Sequence, residues 1–226
     1  MQTRITLIKF FVFAGNTLIP LYAVTMATLF DRTFGGVAFA IFVSGMIIER
    51  AWETFKTSKE KHREEFHGDW TLALVTATYL LLFFLMISEY YLVSRSFNVF
   101  IAAAGCMILI GSFKMRFWGM AALGKQWAVH AVGAQKIRKV RLVKIGPYKY
   151  VRHPIYLGIL LEELAYPLIA NAHYSLIFSA LVCMPFVVIR AWTEEKYSLR
   201  RFGESYSTYR GKIGMFFPIQ FLKGRS

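Results

Sequence analysis

Acidic residues are scarce in this chain: 13 Asp and Glu stand against 27 Lys and Arg among 226 residues, a formal net charge of +14 at pH 7. Such an excess points to nucleic acid only when a soluble basic domain carries it, and no such domain can be found here. Cysteine is nearly absent. Cys106 and Cys183 are the only two, and both fall in apolar runs, where they read as small core residues without a disulfide or metal role. The five histidines show no ligand spacing, and His62 and His67 sit five apart in a charged stretch. No metal site is expected. Internal repeats and low-complexity tracts are missing too, and with them the usual mark of a transporter built from inverted repeats.

Apolar sequence is plentiful. Hydrophobic residues make up 56% of the chain and charged ones 18%, with a mean hydropathy of +0.44, well above a soluble domain. A helix crossing a bilayer needs roughly 20 apolar residues, with a range of about 17–25. Six runs approach that length: 8–30, 33–49, 71–93, 97–113, 155–171 and 174–192. Gly15, Asn16 and Pro20 interrupt the first and predict a kink or an imperfect span. The fifth is short and carries Glu162 and Glu163. The expectation is an all-α integral membrane bundle of about five to six transmembrane helices. Arg4 and Lys9 ahead of the first run resemble a signal peptide. That run is long, however, and no convincing small-x-small cleavage site stands out before Asp31, so it reads as an uncleaved span.

The positive charge is sorted along the chain. The N-terminus and the stretches 50–70, 114–153 and 190–226 hold 25 of the 27 lysines and arginines, while the opposite connections hold only Arg32 and Arg95. This asymmetry puts both termini and the basic loops in the cytoplasm, facing anionic headgroups. Trp52, Trp70, Trp118, Trp127 and Trp192 fall on or near the same border, as an interfacial belt would. The charged stretch 49–70 reads as a solvated helical connector, with a lid or headgroup-binding element as the alternative. Residues 116–129 read as an interfacial helix anchored by Trp118, Leu123 and Trp127, and 133–147 as a basic loop ending in the Gly146-Pro147 turn. The chain therefore divides into N-terminal transmembrane helices (1–113) and a core (114–226) made of an interfacial loop, a helical hairpin over 155–192 and a cytosolic C-terminal helix.

Two polar clusters lie at the mouth of that hairpin. The run 146–158, GPYKYVRHPIYLG, sets turn formers, tyrosines, Arg152 and His153 at the doorstep of an apolar segment. Pro154 suits a first helical position, and a helix N-terminus beside Arg152 favours an anionic ligand group. At the end of the next apolar segment, Arg190 and Glu194 share a helix face with Glu195 beside them. Arg190 lies inward of Trp192, where an unneeded charge is costly. Interfacial anchoring would account for the first cluster taken alone, and an ion pair at a helix end for the second. Facing the same border of one hairpin, they point to an enzyme site at a membrane surface.

These residues carry a resemblance. LVKIGPYKYVRHPIYLG (142–158), RAWTEEKYSLRRFGESYSTY (190–209), the late Pro218 and the upstream ALGKQWAV (122–129) resemble the isoprenylcysteine carboxyl methyltransferases and the related phospholipid methyltransferases over roughly 115–218. The resemblance implies an integral membrane enzyme that uses S-adenosylmethionine, with no Rossmann domain and no metal. It places Lys144, Gly146, Tyr148, His153, Tyr156 and Gly158 at cofactor-lining positions, joined by Glu195 as the second acid of the EE pair. Arg190 and Glu194 match the Arg-x-x-x-Glu pair that orients the acceptor, and are the implied catalytic residues.

The expected reaction is methyl transfer to a lipophilic acceptor at the membrane surface, with a prenylcysteine-like carboxylate leading. N-methylation of an aminophospholipid such as phosphatidylethanolamine is the alternative, and a small thiol or phenolic lipid a third acceptor. Readings from other classes are a small transporter using Glu162 or Glu163 and a non-catalytic scaffold. Glu162-Glu163 departs from the family's apolar run after the motif. At least one of these acids is expected to face the bundle interior, stay protonated or find a cationic partner such as Arg190. Either role, bracing the helices or lining the acceptor cavity, would fit that placement.

Overall fold

In the computed structural model, residues 2–56, 70–94, 96–126 and 141–218 are described. They form helices α1 (Gln2–Phe30), α2 (Phe34–Lys56), α3 (Trp70–Leu92), α4 (Val99–Leu123), α5 (Pro154–Ile169), α6 (His173–Phe178), α7 (Met184–Phe202) and α8 (Glu204–Lys212). A π turn over Ser179–Cys183 joins α6 to α7, so one continuous helix of 30 residues runs from His173 to Phe202. Among the described residues there is no named strand, only an isolated parallel bridge between Val151 and Gly214.

The fold is an all-α bundle of membrane type. Among the described residues, three helices are long and apolar enough to cross a bilayer: Trp70–Leu92, Val99–Leu123 and His173–Phe202. Ala14–Phe30 is a shorter apolar stretch of α1, which runs unbroken through Pro20. The expected spans at 33–49 and 155–171 are helices as well. α5, at 16 residues, is about 24 Å long, less than a ~30 Å hydrocarbon core.

Several expected boundaries move. Residues 116–123 are not a separate interfacial helix; they complete α4, and a single 3-10 turn over Gly124–Gln126 follows. Helical geometry persists because nothing between Phe113 and Leu123 breaks it, and Gly124, at φ 54°, ends it. α2 likewise continues past Glu49 to Lys56. Trp127, the first part of the basic 133–147 loop and most of the charged connector, with His62 and His67, lie outside the described residues.

Helix α3 sits at the centre, and Leu82, Phe83, Met86 and Ile87 are fully buried on it. Tyr22 of α1 hydrogen-bonds Ser88 at 2.9 Å, and Tyr91 donates to the Gly36 carbonyl of α2 at 2.6 Å. α4 and α5 approach more closely. A Cβ on Gly105 would lie 2.9 Å from the backbone N of Ile169, and one on Gly158 would lie 3.1 Å from the carbonyl of Ser112. In lipid, helices gain little from apolar burial against one another, so such small-residue contacts do the packing.

Polar side chains close the helix ends on the face opposite the motif. Asn98 caps α4 by accepting from Phe100 N and Ile101 N, and its own backbone N donates to Asn171 Oδ1 at 2.8 Å. Buried Glu89 of α3 accepts from Tyr174 N (3.0 Å), Ser175 N (2.7 Å) and Ser175 Oγ (2.6 Å) at the start of α6. A carboxylate there answers both the orphan N–H groups and the positive end of a long helix. Glu89→Ala removes these bonds and should cost about 2 kcal/mol. In detergent that is a fall of roughly 4–8 °C in unfolding temperature for a chain of this size, measurable by a thermal scan.

Candidate functional site

The site is built where the chain enters α5. Gly146 adopts φ 59° and starts the 3-10 turn Gly146–Lys149. A Cβ there would come within 3.3 Å of Trp118 Nε1 on α4, so glycine is needed for both the conformation and the approach. The Pro147 carbonyl accepts from Tyr150 N and Val151 N at 3.0 and 3.1 Å. Val151, Arg152 and His153 follow before Pro154 opens α5. The C-terminal segment lies beside them, with Arg152 N donating to Gly214 O at 2.9 Å and His153 N to Met215 O at 3.1 Å.

His153 is buried, with its ring 5.6 Å from Tyr156 and 6.3 Å from Phe216. Its Nε2 lies 3.3 Å from Glu195 Oε1 but off the hydrogen-bond line, and has no hydrogen-bond partner among the described residues. Glu195, reaching over from α7, is buried and receives Arg152 through Nε at 2.7 Å and Nη2 at 2.6 Å, with Arg210 Nε 3.4 Å away. Arg152 also donates Nη1 to the carbonyls of Arg210 and Ile213. The anion-binding role expected of Arg152 gives way to an internal one. Its guanidinium fastens α7, α8 and the C-terminal segment to the entrance of α5.

Arg190 is buried one helical turn before Glu194, and its guanidinium carbon is 6.0 Å above the Tyr156 ring. Nη1 donates to Thr71 Oγ1 of α3 at 3.1 Å. Tyr148 is buried, and its carbonyl accepts the Tyr209 hydroxyl at 2.7 Å. Burial, the Glu194 carboxylate and Tyr209 all push the Tyr148 phenol well above its ordinary range. Burial likewise raises the Tyr209 phenol to about 12, with Arg152 opposing and Glu195 adding. Both phenols therefore stay protonated near neutral pH, and the Tyr209 hydroxyl is a hydrogen-bond donor.

His153, Tyr156, Arg190 and Glu195 thus converge, while Glu194, one turn beyond Arg190, is close enough to Tyr148 to interact electrostatically with it. Lys144 and Gly158 sit apart from that group. Lys144 is exposed, with its ammonium 5.8 Å above the Tyr209 ring. Gly158 faces α4 and the side chain of Arg116.

Sequence reasoning missed a second polar group. Glu162 is fully buried and ion-paired with both Arg50 of α2 and Arg116 of α4, and Arg116 Nη2 also lies 3.4 Å from Glu49. Arg190 is not the cation that meets Glu162. The available signal was Arg116 itself, a charge in a largely apolar helix, which counting loop charges assigns to topology. Glu163 is fully buried as well. No group of three or more His, Cys, Asp or Glu side chains placed to hold a metal occurs among the described residues.

Residues 103–200 match the family described as Isoprenylcysteine carboxyl methyltransferase (ICMT) family. The protein-S-isoprenylcysteine O-methyltransferase of Schizosaccharomyces pombe is 30% identical over 129 residues, which is 57% of this chain and 54% of that enzyme. The uncharacterized protein YpbQ of Bacillus subtilis is 25% identical over 164 residues, covering 70% of this chain and 95% of that one. The methanethiol S-methyltransferase of Pseudomonas deceptionensis is 39% identical over 71 residues, 31% of this chain and 26% of that enzyme. The chain spans about half the length of the yeast isoprenylcysteine methyltransferases it matches. The matched residues 103–200 take in most of α4, the Gly146–Gly158 motif, α5 and the Arg190–Glu195 cluster, and it is over this stretch that the chain is similar to that family.

Proposed function

We propose that this protein is a membrane methyltransferase that moves a methyl group from S-adenosylmethionine to the carboxylate of a prenylcysteine-like lipid. The observation that carries the reading is the convergence of His153, Tyr156, Arg190 and Glu195 at one mouth of the bundle, within a stretch matched by methyltransferases. The relatives are named for a prenylcysteine and for a thiol acceptor, so methyl transfer is their common ground. The excess of Lys and Arg on the loops of this border supports a cytoplasmic position for the site and both termini. The division into an N-terminal membrane part (1–113) and a methyltransferase core (114–226) follows the same logic.

The residues present fit the cofactor. His153 Nε2 is a buried polar atom without a hydrogen-bond partner among the described residues, and Tyr148 and Tyr156 flank the same entrance. His153, Tyr148 and Tyr156 would hold S-adenosylmethionine, with Gly146 letting the turn approach and Lys144 at the outer rim. When bound, that cofactor supplies an electrophilic methyl on a sulfonium. Glu195 acts by fixing Arg152, and with it the segment that carries His153. Arg190 presents a planar fork of N–H donors suited to a carboxylate, and Glu194 borders the same space. A carboxylate acceptor is already ionised near neutral pH and needs no base, so most of the rate comes from alignment. The water-soluble cofactor would arrive from the cytosol and the acceptor from the bilayer.

Two sets of substitutions test this division of labour. Arg190→Lys keeps the charge and loses the fork, so turnover should fall about 10- to 100-fold while calorimetric affinity for S-adenosylhomocysteine stays within about threefold. Glu195→Gln leaves Arg152 without its anion, loosens the segment that carries His153, and should weaken cofactor affinity more than turnover at saturation. Identical behaviour of the two variants would refute the assignment. His153→Ala should weaken S-adenosylhomocysteine binding about tenfold with near wild-type yield of folded protein. An equal loss of folded protein would make His153 a structural anchor.

A further inference from the structure

The seam between α3, α5 and the long helix His173–Phe202 carries two polar layers. The outer one is Thr71, Tyr156 and Arg190. Seven residues inward on each helix lie Thr78, Glu163 and Cys183, so the layers are about 10.5 Å apart. In the inner layer the Cys183 thiol contacts the Thr78 carbonyl at 3.5 Å, and Ser179 Oγ donates to the backbone carbonyl of Glu163 at 2.7 Å. The Glu163 carboxyl lies close enough to Cys183 to interact electrostatically with it. This inner layer meets the π turn Ser179–Cys183. Such bulges widen a helix and recur at functional sites.

Glu163 is 0% exposed, and neither side-chain oxygen has a hydrogen-bond partner among the described residues. Its neighbour Glu162 is satisfied by Arg50 and Arg116, so the two adjacent acids have been treated very differently. A buried carboxyl without a donor is costly and unusual. A purely bracing role would be served by a residue whose polar atoms are met, as those of Glu89 are. The vacancy in hydrogen bonding therefore calls for a donor from outside the protein.

We propose that Glu163 is the inner polar contact of the acceptor site and binds a hydrogen-bond-donating group, hydroxyl or ammonium, on the acceptor's tail. That group would sit about 10 Å from the carboxylate held at Arg190. The inference rests on the reading of Arg190 as the acceptor's anchor. It gives the acceptor two polar ends along the seam instead of one, and makes Glu163 a specificity-determining residue. Selection would follow because a tail of bare hydrocarbon, an unmodified prenyl chain included, leaves the buried carboxyl unmet; the favoured acceptor shares the prenylcysteine carboxylate but carries a donor on its tail, and a plain prenylcysteine is a weaker substrate.

The test uses the full chain in phosphatidylcholine nanodiscs with S-adenosylhomocysteine or labelled S-adenosylmethionine. Four acceptors are compared: plain dodecanoate, dodecanoate with a hydroxyl or an amine about 10 Å from the carboxylate, and the isomer with a hydroxyl half as far away. Binding is read as the shift in unfolding temperature of the S-adenosylhomocysteine complex, and transfer as kcat/KM. Wild type should favour the distant donor over plain dodecanoate by about tenfold, and the hydroxyl and amine arms show which donor is preferred. Glu163→Leu should abolish that preference while still turning over plain dodecanoate. Glu163→Gln, which keeps the shape, should retain part of it, and serves if the leucine variant folds poorly. Equal binding of all four by wild type, or an unchanged preference in both variants, would overturn the proposal. Selective binding without any transfer would leave Glu163 as the ligand contact and count instead against the proposed reaction.

Discussion

The Glu195 carboxylate is the knot of the site. It is a buried charge on α7, tolerable only because Arg152 meets it at two nitrogens and Arg210 stands beside it. Removing one partner of such a group costs several times what the pair contributes net, because the other charge is left stranded. Arg152 in turn ties the carbonyls of Arg210 and Ile213, so one ion pair sets the positions of α7, α8, the C-terminal segment and the entrance of α5. His153 is fixed within that frame, between Tyr156 and Phe216. The residues that gather at the cofactor's proposed place are thus held by electrostatics rather than by a large apolar core.

A second buried ion group does the same for the membrane half. Glu162 joins Arg50 of α2 to Arg116 of α4 through α5, a helix too short to span by itself. Three helices share that one carboxylate, while Gly105 and Gly158 bring α4 and α5 into backbone contact. Because apolar burial between helices yields little in lipid, these polar ties and close contacts carry much of the specificity of packing. They also explain how α5 tolerates two adjacent acids: Glu162 is neutralised by its partners, and Glu163 is turned into the seam with Cys183 and Ser179 beside it.

Much of this was legible in the sequence, for physical reasons that can be named. Spans declare themselves by apolar length, and α3 and α4 begin within two residues of the expected starts. The motif at 146–158 showed a turn and a helix start, and Pro154 does open α5. Other features were hidden. Arg116 is fully buried in α4, yet a count of loop charges cannot distinguish it from topology signal, because its partner Glu162 is 46 residues away in sequence. The π turn at Ser179–Cys183 leaves no pattern in hydropathy. The docking of residues 213–216 against 151–153 is a backbone contact, which side-chain chemistry does not announce. Arg152 was read as an anion site because a helix start and a free guanidinium look alike whether the anion is a ligand or, as here, Glu195.

The central claim is a methyl ester made on a lipidic carboxylate. It is tested most directly by incubating the purified chain in nanodiscs with methyl-labelled S-adenosylmethionine and a prenylcysteine carboxylate, then treating the lipid fraction with mild base. The account predicts label in the lipid fraction that base releases as methanol. Label that resists base, marking transfer to nitrogen or sulfur, would contradict it, as would an unlabelled lipid fraction from protein shown by calorimetry to bind S-adenosylhomocysteine.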